Sequence, residues 1–381
     1  MARKRKQNHS EHFSERGASM PTFVAGLELS RHFYGEVVRP LLTATFPKLL
    51  YAAALIGPGS EILGFDTALS IDHDWGPRLF ILLQEEDIDL RDPIANLLSQ
   101  QLPDTFSGFP VSFTAMPTDP KLRVMMRKVD GPIKHRIIPI TIRDFVRIQF
   151  GYDLTRPLQA VDWLTFPSHT LREFVSGAIY HDNTGELTAL RNRFAWYPYD
   201  IWLFMLASGW QRIGQEEHLM SRAGSVGDEL GSAIIGSRLI RDVMNLCFLM
   251  EKQYAPYAKW FGTAFKQLHC AQELSSILWQ ASQAPAWHER EQALAQSYQI
   301  IAHMYNALGI SKILPETVSS FYNRPFKVIH GGQFAQSLVR QITDPEVQRI
   351  AKRRLIGNMN QWSDNTDIEG LAKETLQQIF M

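Results

Sequence analysis

Apolar residues recur at helical spacing between Phe23 and Phe46, through Leu27, Leu29, Phe33, Val37, Val38, Leu41 and Leu42. The spacing predicts a helix, broken near Pro40, where the backbone has no amide hydrogen to donate. The short apolar run from Tyr51 to Ile56 ends at Gly57, Pro58 and Gly59 and reads as a buried strand entering a turn. Arg78 to Leu83 reads as its neighbour, Pro93 to Gln101 as a helix, and Val111 to Thr114 and Arg136 to Ile142 as further strands. Pro139 suits the last of these to a sheet edge, because proline cannot donate to a ladder on both sides. Beyond about residue 150 the pattern turns helical, with clear elements at Tyr199–His218, Asp228–Tyr254, Ala293–Leu308 and Asp344–Leu355. Asp228 is placed to cap the second of these, its carboxylate accepting from unpaired first-turn amides.

The pattern therefore predicts an α+β protein in three parts: a basic, disordered tail at 1–20, a mixed-sheet domain at 21–150 and a helical domain at 151–381. The 39 basic and 39 acidic side chains cancel. No global charge draws the chain to nucleic acid or to an anionic membrane, and a small ligand is the better default partner. The two cysteines, Cys247 and Cys270, make neither a disulfide framework nor a cysteine-rich metal site, which fits a cytoplasmic location. The basic start is followed by polar residues rather than an export signal's apolar core. No apolar run approaches the roughly 18 residues of a membrane span.

Candidate chemistry concentrates between Gly57 and Arg78. Side chains two apart on a strand share a face, so an extended Asp72–Asp74 segment projects both carboxylates together. Two such anions repel unless a cation lies between them, and hard oxygen ligands suit Mg²⁺. Gly59 lets a phosphate approach the backbone, and Ser60 adds a hydroxyl donor. His73 then faces the other way, Asp66 reads as a turn residue, and Arg78 is either a phosphate contact or a surface arginine. In the helical half, Lys259 sits among aromatic residues as a candidate phosphate grip. Arg238 and Asp242 are spaced to pair on one helix face, with Arg238 or Arg241 on a phosphate as the alternative. Glu216 and Glu217 end a tryptophan-rich helix, as a solvated terminus or as contacts for a cationic acceptor. Val243 to Met250 is nearly all apolar, so Asn245 within it needs a partner.

The Gly59–Ser60 turn, with Asp72 and Asp74 following at about the expected distance, resembles the signature of the polymerase-beta-like nucleotidyltransferase superfamily. More closely, the wording from Gly64 to Asp66 and from Ser70 to Arg78, together with Asp228 to Gly231 and Tyr254 to Gly262, resembles the bacterial family DUF4037 over about residues 25–330. The resemblance implies a small mixed sheet that holds a nucleoside triphosphate and two Mg²⁺ ions, with a helical domain closing the cleft. The implied reaction moves a nucleoside monophosphate to a hydroxyl on a small molecule or protein, by in-line attack on the α-phosphate.

Two departures qualify that implication. Trp75, Gly76 and Pro77 intervene where relatives run directly from the Asp pair into a strand. The third carboxylate is missing from the Arg136–Ile142 strand, leaving Asp130 and Asp144 on its flanks as substitutes. The alternatives are a nucleotide-binding module without catalysis, used for regulation or assembly, and a helical scaffold whose sheet is structural. No phosphate-loop, zinc-protease or serine-hydrolase motif occurs in the chain.

Overall fold

The computed structural model describes residues 21–126, 131–363, 365–369 and 371–381, so the 1–20 segment and Asp130 lie outside the described residues. The first helical stretch is continuous: α1 (Gly26–Phe33) passes through a π-helical turn at Tyr34–Val38 into α2 (Arg39–Thr45). Pro40 stands in the first turn of α2. Its ring would press on the carbonyl four residues back, at Glu36, and the wider π turn relieves that contact without ending the rod.

From edge to edge the main sheet runs β7 (Arg136–Thr141), β2 (Arg78–Leu83), β1 (Tyr51–Leu55) and β8 (Ala178–Asp182). β1 (Tyr51–Leu55) and β2 (Arg78–Leu83) are antiparallel, with Tyr51 opposite Leu83. After α3 (Arg91–Gln101) come a two-residue ribbon, β3 (Thr105–Phe106) with β4 (Phe109–Pro110), and a separate hairpin, β5 (Ser112–Met116) with β6 (Asp119–Met126). The expected Val111–Thr114 strand thus belongs to this hairpin and not to the main sheet. β7 (Arg136–Thr141) runs parallel to β2 at one edge, so the edge position expected for Pro139 holds. The other edge is β8 (Ala178–Asp182), paired antiparallel with β1. This strand comes from beyond residue 150, where the sequence pattern showed only helices.

All five residues of β1 are buried, and their alternation builds two cores. Ala52 and Ala54 join the large core shared with the helical half, whereas Tyr51 and Ala53 face the core made with Phe33, Val38, Ile94 and Leu98. The sheet is thus covered on both faces, and its small central alanines allow close packing.

Beyond β7, Thr141 caps α4 (Ile142–Phe150) by accepting from the Asp144 amide at 3.1 Å. Next come α5 (Ala160–Thr165), α6 (Ser168–Val175), α7 (Glu186–Arg193), α8 (Tyr199–Glu216), α9 (Leu219–Ser225) and α10 (Glu229–Met250). Asp228 caps α10 as its position predicts, accepting from the Gly231 amide at 2.7 Å. The helical half continues with α11 (Ala258–Phe265), α12 (Ala271–Gln283) and α13 (Trp287–Ala307), then the β9 (Ser319–Phe321) and β10 (Arg324–Val328) hairpin. It ends with α14 (Gly331–Val339), α15 (Pro345–Arg353) and the short α16 (Met359–Trp362), followed by brief helical turns. α14 lies tight on α8 because Gly214 and Gly331 carry no side chain there: a Cβ on Gly214 would stand 2.6 Å from the Gly332 nitrogen. Trp210 stacks on Phe334 at 4.2 Å in the same contact. Among the described residues no helix is long and apolar enough to cross a membrane.

Candidate functional site

The turn after β1 is built around a buried ion pair. Gly57 and Gly59 adopt positive φ angles of 91° and 152°, and the Gly57 amide donates to the Glu173 carbonyl of α6 at 3.2 Å. Arg78, the first residue of β2, reaches back to this turn: its Nε donates to Glu61 Oε1 at 2.9 Å and its Nη2 to the Pro58 carbonyl at 2.9 Å. Arg78 and Glu61 are 6% and 3% exposed, so this guanidinium is committed to shaping the turn and is neither a surface arginine nor an open phosphate contact. Gly59 has a packing role as well. A Cβ there would stand 2.6 Å from Arg78 Nη2.

The Asp72–Asp74 segment is not extended. Asp72 ends a 3₁₀ turn, Ala68–Asp72, and its carboxylate accepts from the His73 amide at 3.0 Å and lies 3.1 Å from His73 Nδ1. Asp74 is left-handed, at φ 51°. Its amide donates to the Arg123 carbonyl at 2.7 Å, and its carboxylate pairs with Arg136 at the start of β7. Trp75, Gly76 and Pro77 explain the bend. The Trp75 ring is buried, its Nε1 donates to Asp66 Oδ2 at 3.0 Å, and the same oxygen accepts from the Gly26 amide at 2.7 Å, which fixes Asp66 as the turn residue expected. Gly76 packs so closely that a Cβ would meet Met125 Sδ at 2.9 Å. The chain is anchored by these contacts and resumes as a strand only at Arg78. The two carboxylates therefore face different partners, and the shared strand face expected for them is absent.

Charges close in around this region. Burial first, and then the neighbouring Arg78, push the Arg136 guanidinium below the usual arginine range, while Asp74 and Glu61 oppose that shift. Asp144 sits in the first turn of α4 and pairs with Arg147 at 2.6 Å. Among the described residues no group of three or more His, Cys, Asp and Glu side chains is arranged to hold a metal ion. A pair of Mg²⁺ ions requires several converging oxygen ligands, and among the described residues the donors do not fit that requirement. Asp74 is matched to a guanidinium, Asp72 to its own neighbour, and Asp144 to a helix partner.

The principal cavity, about 700 Å³, lies between the Gly57–Ser60 turn and the helical half. Pro58 lines it from the turn. A stripe of α10 carrying Arg241, Asn245 and Phe248 lines it as well, continued by the segment from Gln253 to Ala258 and by Phe261 of α11. Ser168, Tyr197 and Asn358 also line it. Asn358 is fully buried, its Nδ2 2.9 Å from Ser168 Oγ. Tyr257 feels the carboxylates of Glu173 and Glu61, which ties this wall electrostatically to the ion-paired turn. Phe65, just past the turn, packs on Trp260 with ring centroids 5.3 Å apart.

Of the residues singled out from sequence, Arg241 and Asn245 line this cavity, whereas Asp72, Asp74, Ser60 and Lys259 do not. Lys259 is exposed, with Nζ 4.8 Å from the Trp260 ring centre. Arg238 pairs with Glu216 of α8, and Asp242 pairs with Arg212, 3.1 Å away. Both ion pairs thus link α10 to α8 in place of the expected pair within one helix. Glu217 is buried and not a solvated terminus. Its oxygens accept from the amides of Ile329, His330 and Gly331 at 2.6, 3.2 and 3.1 Å, pinning the start of α14. Sequence reasoning missed Glu61, which carried no motif, and Arg136, whose role depends on β7 lying beside β2.

Residues 163–261 match a family model described as Domain of unknown function (DUF4037). The match covers about a quarter of the chain, narrower than the resemblance read over residues 25–330. It runs from within α5 through β8 to the first half of α11, taking in much of the helical lining of the cavity. No curated protein and no solved structure matches the chain.

Proposed function

We propose that this is a nucleotidyltransferase-like protein that binds a nucleoside triphosphate in the cleft between the Gly57–Ser60 turn and the helical half, with binding as its principal activity. The observation that carries this reading is the position of Pro58: the turn whose wording resembles a phosphate-binding motif contributes this residue to the lining of the cavity. A volume of about 700 Å³ suits a ligand of nucleotide size. Tyrosines and carboxamides on the helical wall suit a partly apolar ligand with hydrogen-bonding edges.

The test is equilibrium titration of the four common nucleoside triphosphates, with thermal denaturation alongside. A ligand at a hundred times its dissociation constant stabilises the folded state by about 2.7 kcal/mol, which a melting curve resolves. Absence of binding and of any shift with all four overturns the proposal.

A second reading is nucleotidyl transfer to a hydroxyl on a small molecule or protein. It is favoured by the exposure of Asp72, whose side chain is 64% open beside the segment leading into β2. The ion pair between Asp74 and Arg136 weighs against it. Incubation with α-labelled triphosphate and cell extract separates the two, since transfer leaves label on an acceptor and binding does not.

A further inference from the structure

The helical wall of the cleft carries two carboxamides, Asn245 and Gln253, whose side chains make no hydrogen bond among the described residues. Asn245 lies on α10 at helical spacing from Arg241 and Phe248, and all three line the cavity. The surrounding helix is apolar and largely buried. Among the described residues the Asn245 side chain makes no hydrogen bond, and it is half-buried, so a ligand can reach it. Gln253, in the segment after α10, also lines the cavity, and its side chain likewise has no hydrogen-bond partner among the described residues. Neither side chain has a buried, unpaired polar atom, so the polar ends of both stay open to a ligand in the cleft. Aromatic rings accompany these groups along the wall, those of Tyr257 and Phe261.

We infer that this wall of the cleft is a nucleobase subsite, in which Asn245 and Gln253 read the hydrogen-bonding edge of the base while the phosphates lie toward the Pro58 turn. A carboxamide presents a donor and an acceptor side by side, the complement of the paired donor and acceptor on a base edge. Neighbouring aromatic faces suit a flat heterocycle. The Asn245 and Gln253 side chains are neutral, and Arg241, one turn before Asn245, lines the same cavity. A site built for a cationic acceptor would call for carboxylates in place of these two carboxamides.

This inference rests on the nucleotide reading, and the experiment separates the two. The full chain is titrated with the four nucleoside triphosphates, the matching nucleosides, free ribose and inorganic tripolyphosphate. The same titrations are run on Asn245→Leu, which keeps the side-chain volume on a helix, and on Gln253→Leu, which lies outside one. The expected result is that nucleosides compete for the site and ribose does not. Each variant binds its preferred nucleotide at least tenfold more weakly, while tripolyphosphate affinity and melting temperature stay unchanged. Nucleotide affinity unchanged in both variants overturns the base subsite and leaves nucleotide binding standing, as does an equal loss for tripolyphosphate. A wild-type protein that binds no nucleotide removes the underlying reading itself. Should Asn245→Leu fail to fold, Gln253→Leu decides the matter alone.

Discussion

Glu217→Gln should change how stability depends on pH. Glu217 is 5% exposed at the end of α8, and its carboxylate accepts the amides of Ile329, His330 and Gly331. Burial pushes its carboxyl up to about 7 from an ordinary value of 4.5, and the three amide donors oppose that shift without reversing it. The folded state therefore binds the proton more tightly than the unfolded chain. Its contribution is fully present below about pH 4.5 and is lost as pH rises through about 7. The gap between those values corresponds to roughly 3 kcal/mol. Glutamine removes the titration and turns one amide hydrogen-bonding end toward backbone donors, a pH-independent cost of about 1–3 kcal/mol. Urea unfolding of both proteins between pH 5 and 8 should show the wild type losing about 3 kcal/mol more than the variant. Asp242, which burial pushes up to about 6, titrates in the same window but is present in both proteins. Parallel stability curves would refute the assignment.

The ion pair at the turn yields a second expectation. Glu61→Gln strands a buried guanidinium and should cost about 3–5 kcal/mol by denaturant unfolding, whereas Glu61→Leu with Arg78→Met should recover most of that. Gly59→Ala places a Cβ 2.6 Å from Arg78 Nη2 on a residue at φ 152°, so it should both lower the melting temperature and weaken triphosphate binding. Lys259→Ala, at an exposed lysine beside Trp260, should cost no more than about 1 kcal/mol of stability and leave nucleotide affinity within twofold by titration.

The fold was legible where one periodicity ruled. The strands at β1, β2 and β7, the cap at Asp228 and the long helices follow from local spacing and turn chemistry. β8 was not legible, because its five half-buried residues carry no strong alternation and its pairing with β1 is set more than a hundred residues away. The site divided in the same way. Asn245 announced itself as a polar residue in an apolar run, and the cleft lies against it. The conformation of the Asp72–Asp74 segment was not legible because it depends on the burial of Trp75 and on the partnership of Asp74 with Arg136, and neither is local. Glu217 looked like a helix end. Only the return of residues 329–331 makes it a buried clamp.

Asp74→Asn separates the binding reading from the catalytic one, because the two predict opposite signs. If Asp74 were a metal ligand, removing its charge would weaken metal-dependent triphosphate binding. In the structure its carboxylate instead occupies Arg136, whose guanidinium lies within electrostatic reach of Arg78 and Glu61 at the turn. Arg136 lines a separate recess with Phe113, Arg123 and His135, and a triphosphate whose phosphates extend past the turn to that recess competes with Asp74 for this guanidinium. Asparagine keeps the shape but ends the ionic competition, which leaves the guanidinium available to phosphate. The Arg136 and Asp74 side chains are 21% and 34% exposed, so the pair is worth about 1 kcal/mol after screening. Its release should tighten triphosphate binding about fivefold. The gain should shrink as salt is raised, since a partly exposed interaction is screened. Titration of wild type and variant at two ionic strengths measures this directly, and weaker binding by the variant would return Asp74 to the role of metal ligand.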